Sequence, residues 1–245
     1  MSTSISKSSS TKLCAVGFDI WGTLFNLEEV LRAIAHKLAE RKGLDPSTAF
    51  GKILKIHEKA RSIRRYNPDI APQDLIKVSQ RLLAEEFGST ASTVESALAE
   101  VFEAPPTTLL FDDVMLTLEA LHKKGVPMGL VGNILFWPSN LTRLLIERSG
   151  IAKYMQIMVF SDEVGYSKPD RKIFLVFAEK ICVEPSRIIY IGDNVVEDVG
   201  GALSAGFIGI LVNRRSNRNI YLHELRAGVV SKLSGLLELY DEVCR

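Results

Sequence analysis

The chain has 245 residues, 47% of them hydrophobic, with 30 Lys+Arg against 29 Asp+Glu and a formal net charge of +1. That length holds one domain with a sizeable core, or a core carrying an insertion, and is cramped for two independent domains. The balanced charge excludes a global field that would draw in nucleic acid or an anionic membrane, so the expected partner is a small molecule recognised locally.

The opening stretch MSTSISKSSSTK is rich in Ser and Thr and has no apolar core, so residues 1–11 read as a disordered lead-in rather than a signal peptide or anchor. No apolar run approaches the roughly 20 residues that span a bilayer, and a soluble protein is expected. KLCAVGFD then reads as a strand buried on both faces, with Asp19 at its carboxyl end. From residue 28 to about 103 the apolar residues change to helical spacing: Leu31, Ile34, Leu38; Phe50, Ile53, His57; Leu75, Val78, Leu82; Val94, Ala97, Leu98, Val101. Breaks are expected at GLDPST, where Asp45 or Ser47 is placed to cap a helix, at NPDIAP and at GSTAST.

Beyond Pro106 helices and strands alternate: a helix over 112–124, a strand in VPMGLVGN, a helix over 138–148 and a strand in MQIMVFS. A helix in KPDRKIFLVFAEKI with Pro169 at its first position, a strand in RIIYIGD, a helix in VVEDVGGALSAG, a strand in FIGILVN and a final helix in SKLSGLLELYDEV follow. This rhythm predicts right-handed βαβ units and a parallel sheet, interrupted after its first strand by a helical insertion. Cys14, Cys182 and Cys244 lie in apolar or terminal contexts and are expected to be reduced, as in a cytoplasmic protein.

Ligands of open α/β sheets bind beyond the carboxyl ends of the strands, which directs attention to Asp19, Asn133, the segment 161–168 and the segment 193–198. Asp193 and Asp198 bracket a strand-to-helix turn and can face one point with Asp19, a donor set suited to Mg²⁺. Helix capping alone would also account for the pair. The ordered set FDIWGTL, LVGN, SDEVGYSKPD and GDNVVED, with the insertion after its first member, resembles the haloacid dehalogenase superfamily over nearly the whole chain.

The resemblance implies a Rossmann-like, doubly wound parallel sheet as the α/β core (12–26 and 107–245), with residues 27–106 as a helical cap domain. It implies Asp19 as nucleophile, Lys168 and Asn133 as catalytic residues, and Mg²⁺ held by Asp19, Asp193, Asp198 and the backbone carbonyl of Trp21. Trp21, Gly22, Thr23 and Gly132 fall at positions that touch or modulate substrate. Two of them depart from the phosphatase pattern. Trp21 stands where a second aspartate usually serves as general acid, worth about 10²–10⁴ in rate, and Gly132 stands where Ser or Thr usually donates a hydroxyl. An aromatic at residue 21 instead resembles the 2-haloacid dehalogenases, in which Asp19 would attack carbon, although those enzymes generally lack the metal acids that GDNVVED retains.

The expected function is therefore a Mg²⁺-dependent phosphatase of a small phosphorylated metabolite with weakened acid catalysis. A 2-haloacid dehalogenase-like hydrolase and a catalytically reduced binding protein are the alternatives. Arg61, Arg64, Arg65 and Tyr66 form a basic cluster in the insertion, read as a solvated face or as a site for a halide or substrate carboxylate. Trp137 reads as packing or a cap contact, and the oligomeric state is left as monomer or homodimer.

Overall fold

The computed structural model describes residues 14–67 and 69–244; the expected lead-in, residues 1–11, lies outside them. The elements run β1 (Ala15–Phe18), α1 (Leu27–Lys42), α2 (Pro46–Tyr66), α3 (Pro72–Glu86), α4 (Ala91–Glu103), α5 (Val114–Lys123), β2 (Met128–Gly132) and α6 (Ser139–Arg148). They continue with β3 (Ile157–Phe160), α7 (Ser161–Val164), α8 (Arg171–Ile181), β4 (Ile188–Gly192), a π-helical turn (Val195–Gly200), α9 (Gly201–Ser204) and β5 (Ile208–Val212). β6 (Ile220–Leu222), β7 (Ala227–Val230) and α10 (Gly235–Val243) close the fold. The strands form one sheet in the order β3-β2-β1-β4-β5-β7-β6, parallel throughout except for the antiparallel β6–β7 pair.

β1, β2 and β4 are buried along their whole length, which is why AVGF, MGLVG and IIYIG read as unbroken apolar runs rather than alternating ones. One face of the sheet is covered by α8, whose Phe174 packs edge-on against Tyr190 and Phe207 and whose Phe177 meets Phe207 at a tilt. The other core continues from the sheet into the inserted helices. There α1 packs on α2 and α4, and α3 on α2 and α4, so each apolar stripe finds a partner. Asn26, Asp45 and Thr90 cap α1, α2 and α4 by accepting hydrogen bonds from Glu28, Thr48 and Thr93 backbone N–H groups. Of the two residues proposed at the GLDPST break, Asp45 is the cap.

Three expectations need correction. The helix after Lys168 begins at Arg171 with Asp170 as its cap, so Pro169 precedes the helix instead of occupying its first position. The Asp170 carboxylate accepts the Lys172 N–H, a stronger start signal than the proline immediately before it. Second, the segment between β5 and α10 contains β6 and β7, which extend the sheet; both strands are short and only partly buried, so they lack the apolar runs that marked the others. Third, Cys14 and Cys244 form a disulfide, with Cα atoms 5.8 Å apart, and only Cys182 is free. Their separation of 230 residues hides a proximity that exists because β1 begins where α10 ends. The cysteine argument for a reducing compartment therefore does not hold. Among the described residues no helix is long and apolar enough to cross a membrane.

Candidate active site

Asp19, Asn133, Ser161 and Asp193 each immediately follow the last residue of β1, β2, β3 and β4. Since β1 lies between β2 and β4, Asp19, Asn133 and Asp193 meet in the crevice at the carboxyl edge of the sheet, while Ser161 lies buried beside it and accepts the Ile134 N–H at 2.9 Å. Lys168 arrives from the loop before α8, only 3% exposed, and its Nζ donates to Asp19 Oδ1 at 2.5 Å and Asp198 Oδ1 at 2.7 Å. Nζ also lies 3.0 Å from the Tyr190 hydroxyl, which in turn donates to the Val131 carbonyl at 2.9 Å. Burial alone would lower the lysine pKa, but the Asp19 and Asp198 carboxylates outweigh it and hold the ammonium charged. Lys168, Asp19 and Asp198 thus form a buried ion triad.

Asp19, Asp193 and Asp198 each offer a carboxylate oxygen within 4.8 Å of the other two. Burial raises the Asp19 carboxyl. Enclosure, then the facing Asp198 charge, pushes Asp193 up to about 6 although it keeps solvent contact. Burial likewise brings Asp198 to about 6, with Lys168 acting in the opposite sense. Three carboxylates against one ammonium leave an excess of negative charge, and an all-oxygen donor set of this kind fits Mg²⁺. The π-helical turn aims Asp198 inward: Asn194 caps it through Val196 and Glu197 N–H groups, and Asp198 Oδ2 accepts the Asn194 N–H at 2.9 Å. Such single-turn π segments often accompany functional sites.

The loop after Asp19 is shaped by close approach. Gly22 has φ of +86°, and a Cβ there would stand 2.3 Å from Asp193 Oδ2, so only glycine brings the loop against the acid. Thr23 Oγ1 donates to Asp19 Oδ2 at 3.1 Å, and its carbonyl accepts from Arg214 Nη2 at 2.9 Å. Trp21 packs its ring on Phe25 at 5.7 Å and edge-on against Trp137 at 5.3 Å, with Trp137 continuing to Phe102 of α4. Residue 21 therefore seals the junction with the inserted helices. At Gly132 a Cβ would lie 2.7 Å from Cδ1 of Ile20, so a Ser or Thr requires Ile20 to shift.

Asn133 does not turn its amide to open space. Its Oδ1 accepts the Lys168 N–H at 2.8 Å and its Nδ2 donates to the Lys168 carbonyl at 3.0 Å and Glu197 Oε2 at 3.2 Å. It clamps the lysine loop, a positioning contact. Above these groups lies a cavity of about 140 Å³, whose far wall includes Trp21, Phe136, Trp137, and His57, Arg61 and Arg64 of α2. Arg61 and Arg64 thus line the cavity, partly exposed, while Arg65 and Tyr66 are exposed. Glu197 bridges to Arg64 Nη2 at 2.6 Å; burial opposes its charge, but Arg64 and Arg61 prevail and keep it ionised.

His57, placed by periodicity among apolar residues, packs at a tilt against Phe136 with ring centroids 5.7 Å apart, and burial followed by the charges of Arg61 and Arg64 lowers its pKa to about 4. A base whose folded pKa is depressed costs stability as pH falls from its unfolded value near 6.5 toward 4, because the unfolded chain binds the proton first. His57→Gln should therefore lose less stability than the wild type between pH 6.5 and 4, by about 2–3 kcal/mol, read from urea midpoints across that range. Equal slopes for the two proteins would refute a buried neutral imidazole. The comparison of variants isolates His57 from Asp193 and Asp198, which titrate in the same window with the opposite sign.

Sequence reasoning found Asp19, Lys168, Asn133, Asp193 and Asp198, and the fold brings all of them to one crevice. It missed His57 as a cavity residue, Glu197, Tyr190 and Arg214. An ionisable side chain in an otherwise apolar stripe was the available signal for His57, and an extra acid beside Asp198 was the signal for Glu197.

A family description of haloacid dehalogenase-like hydrolases matches residues 14–206. The phosphoglycolate phosphatase of Escherichia coli K12 is 30% identical over 138 residues, 56% of this chain and 48% of that protein. The chain thus spans about half the length of the curated relatives it matches. A HAD phosphatase from Thermococcus onnurineus has a similar fold, with a TM-score of 0.64 at 24% identity over 93% of this chain and 97% of that one. So does the L-2-haloacid dehalogenase of Xanthobacter autotrophicus, with a TM-score of 0.71 at 17% identity over 93% and 98% of the two chains.

Proposed function

Because the chain belongs to the haloacid dehalogenase-like hydrolases, we propose that it is a Mg²⁺-dependent phosphatase acting on small phosphorylated metabolites, with Asp19 as nucleophile. The observation that carries this reading is the convergence of Asp19, Asp193 and Asp198, with Lys168 Nζ bonded to two of the three. A carboxylate oxygen of Asp19 bonds phosphorus as the ester oxygen departs, and water then cleaves the aspartyl phosphate, releasing phosphate and restoring the carboxylate. Lys168, charged and nearly water-free, offsets the negative charge brought together when a phosphate approaches Asp19. Asp19, Asp193, Asp198 and the Trp21 carbonyl would hold Mg²⁺. When bound, the ion neutralises phosphoryl oxygens and aligns them. Thr23 and Asn133 orient Asp19 and the Lys168 loop, and helices α1–α4 (within 27–106) serve as the cap, with α2 excluding water over the site.

Trp21 offers no proton to the departing oxygen. Esters with good leaving groups are therefore the better substrates, and Trp21→Asp should raise turnover of alkyl phosphates by about 10²-fold relative to p-nitrophenyl phosphate. An unchanged ratio would mean that residue 21 is not at the leaving-group oxygen. The same substitution removes the ring that joins Phe25 to Trp137, so a fall of about 3 kcal/mol in unfolding free energy is expected alongside.

Phosphate release from a panel of activated and alkyl esters, with and without Mg²⁺, tests the main reading; no release from any activated ester would sink it. The aromatic at residue 21 also favours a second reading, attack on carbon with halide departure, which needs no acid. EDTA-insensitive chloride release from 2-chloropropionate would select that reading.

A further inference from the structure

β6 forms an edge of the sheet: it pairs with β7 on one side, and no strand among the described residues pairs with its other side. An open strand edge is a template for another chain, and proteins commonly guard it with charged side chains, proline or a covering element. Here the edge carries exposed aliphatic groups: Ile220 is 40% exposed, Leu222 48%, and Leu225 in the turn that follows 61%. Side chains alternate along a strand. Tyr221 turns to the covered face, where it packs on the core and meets His223 edge-on, and His223 contacts Glu242 of α10. Ile220 and Leu222 therefore share the opposite face with their register partners on β7, Val229 and Ala227, which are only half-buried. Exposed apolar groups clustered in this way mark an interaction surface more often than scattered ones do.

The charges that flank the patch are spaced for a copy of it. Arg218 and Glu224 are both exposed and stand at equal distances along the chain on either side of Tyr221. Arg214 and His223 of the same segment are paired within the chain, to Asp113 and Glu242, whereas Arg218 and Glu224 have no charged partner among the described residues. β6 lies between them, rising about 3.3 Å per residue, and keeps them apart within one chain. We propose that β6 pairs antiparallel with the β6 of a second copy of this chain about a two-fold axis at Tyr221, joining the two sheets edge to edge in a homodimer. That pairing sets Ile220 against the partner's Leu222 and Arg218 against the partner's Glu224, and symmetry repeats each pair. The apolar pairs form the centre and the ion pairs close both ends. A slip of one residue puts Arg218 against the partner's His223 or the partner's Leu225 and loses both ion pairs, so the charges fix the register.

Sedimentation equilibrium of the full chain between about 1 and 200 μM tests the pairing. So short an edge lies at the small end of specific interfaces, and a dimer dissociation constant of about 1–50 μM is expected. Leu222→Lys places a charge at the centre of the edge and should weaken association by about tenfold or more. Arg218→Glu alone and Glu224→Arg alone each turn two attractions into two repulsions and should weaken it by a similar factor. An equimolar mixture of those two variants should associate again, to within about threefold of wild type, because every pair across the axis is then of opposite sign. Arg215→Glu makes the same charge change outside the paired register and should move association by less than about threefold. The substituted side chains are all exposed, so each variant is expected to melt with the wild type at about 1 μM, where the chain is mostly monomeric. A monomer at every concentration, association unchanged in either Leu222→Lys or Arg218→Glu, or no recovery on mixing the two charge variants would overturn the proposal.

Discussion

Asp19→Asn is expected to abolish phosphate release, a fall of about 10⁴-fold or more, while the chain stays folded. The amide has nearly the shape of the carboxylate, so Thr23 Oγ1 keeps an oxygen acceptor and Lys168 Nζ keeps Asp198 at 2.7 Å. What is lost is the attacking lone pair with its charge, for which the crevice has no substitute: Asp193 and Asp198 follow a different strand. Burial already raises the Asp19 carboxyl, so its ionisation opposes folding, and removing it should cost little stability in the metal-free protein. Mg²⁺ affinity should fall at the same time, since one of three carboxylates is gone. Phosphate release from p-nitrophenyl phosphate and thermal melting with and without Mg²⁺ measure all three effects. Turnover within tenfold of wild type would remove Asp19 from the nucleophile's role.

Lys168→Met should damage both stability and rate. Its ammonium is the only positive charge among the described residues that is hydrogen-bonded to Asp19 or Asp198, and methionine fills the space without replacing it. Breaking a buried pair by removing one partner costs about 3–5 kcal/mol, and losing the charge that faces the phosphoryl group costs about 10²–10³ in kcat. The pH dependence follows from the sign of the carboxylate shifts. Asp193 and Asp198 stand near 6 with Lys168 present, and without it the Asp198 and Asp19 carboxyls rise further. Acids with raised folded pKa values hold protons that the unfolded chain has released, so stability falls as pH rises from about 4 through the folded values. The melting gap between Lys168→Met and wild type should therefore widen from pH 5 to pH 8 in EDTA. A gap independent of pH would mean that Lys168 does not neutralise these acids.

Much of the site was legible because its chemistry sits at strand ends. The runs leading into Asp19, Asn133 and Asp193 are β1, β2 and β4, buried on both faces, so the apolar residues announce the strand and the first polar residue marks its carboxyl edge. The inserted helices were legible for a similar reason, since α1–α4 each bury one stripe and three of them begin at side-chain caps. β6 and β7 were not, because short, half-exposed strands carry no periodic signal. Cys14 and Cys244 likewise carry no mark of each other across 230 residues.

Sequence alone therefore determined the alternation of strands and helices, the place of the insertion, and the acids and lysine that stand at the sheet edge, since those depend on local burial and on order along the chain. The tertiary structure decided which charges meet. Lys168 joins Asp19 and Asp198 from a separate loop, Trp21 turns toward Trp137, and Arg61 and Arg64 swing over Glu197 from α2. Each contact spans more than twenty-five residues of chain, and electrostatic interaction depends on distance in space and on exclusion of water, neither of which a one-dimensional pattern carries.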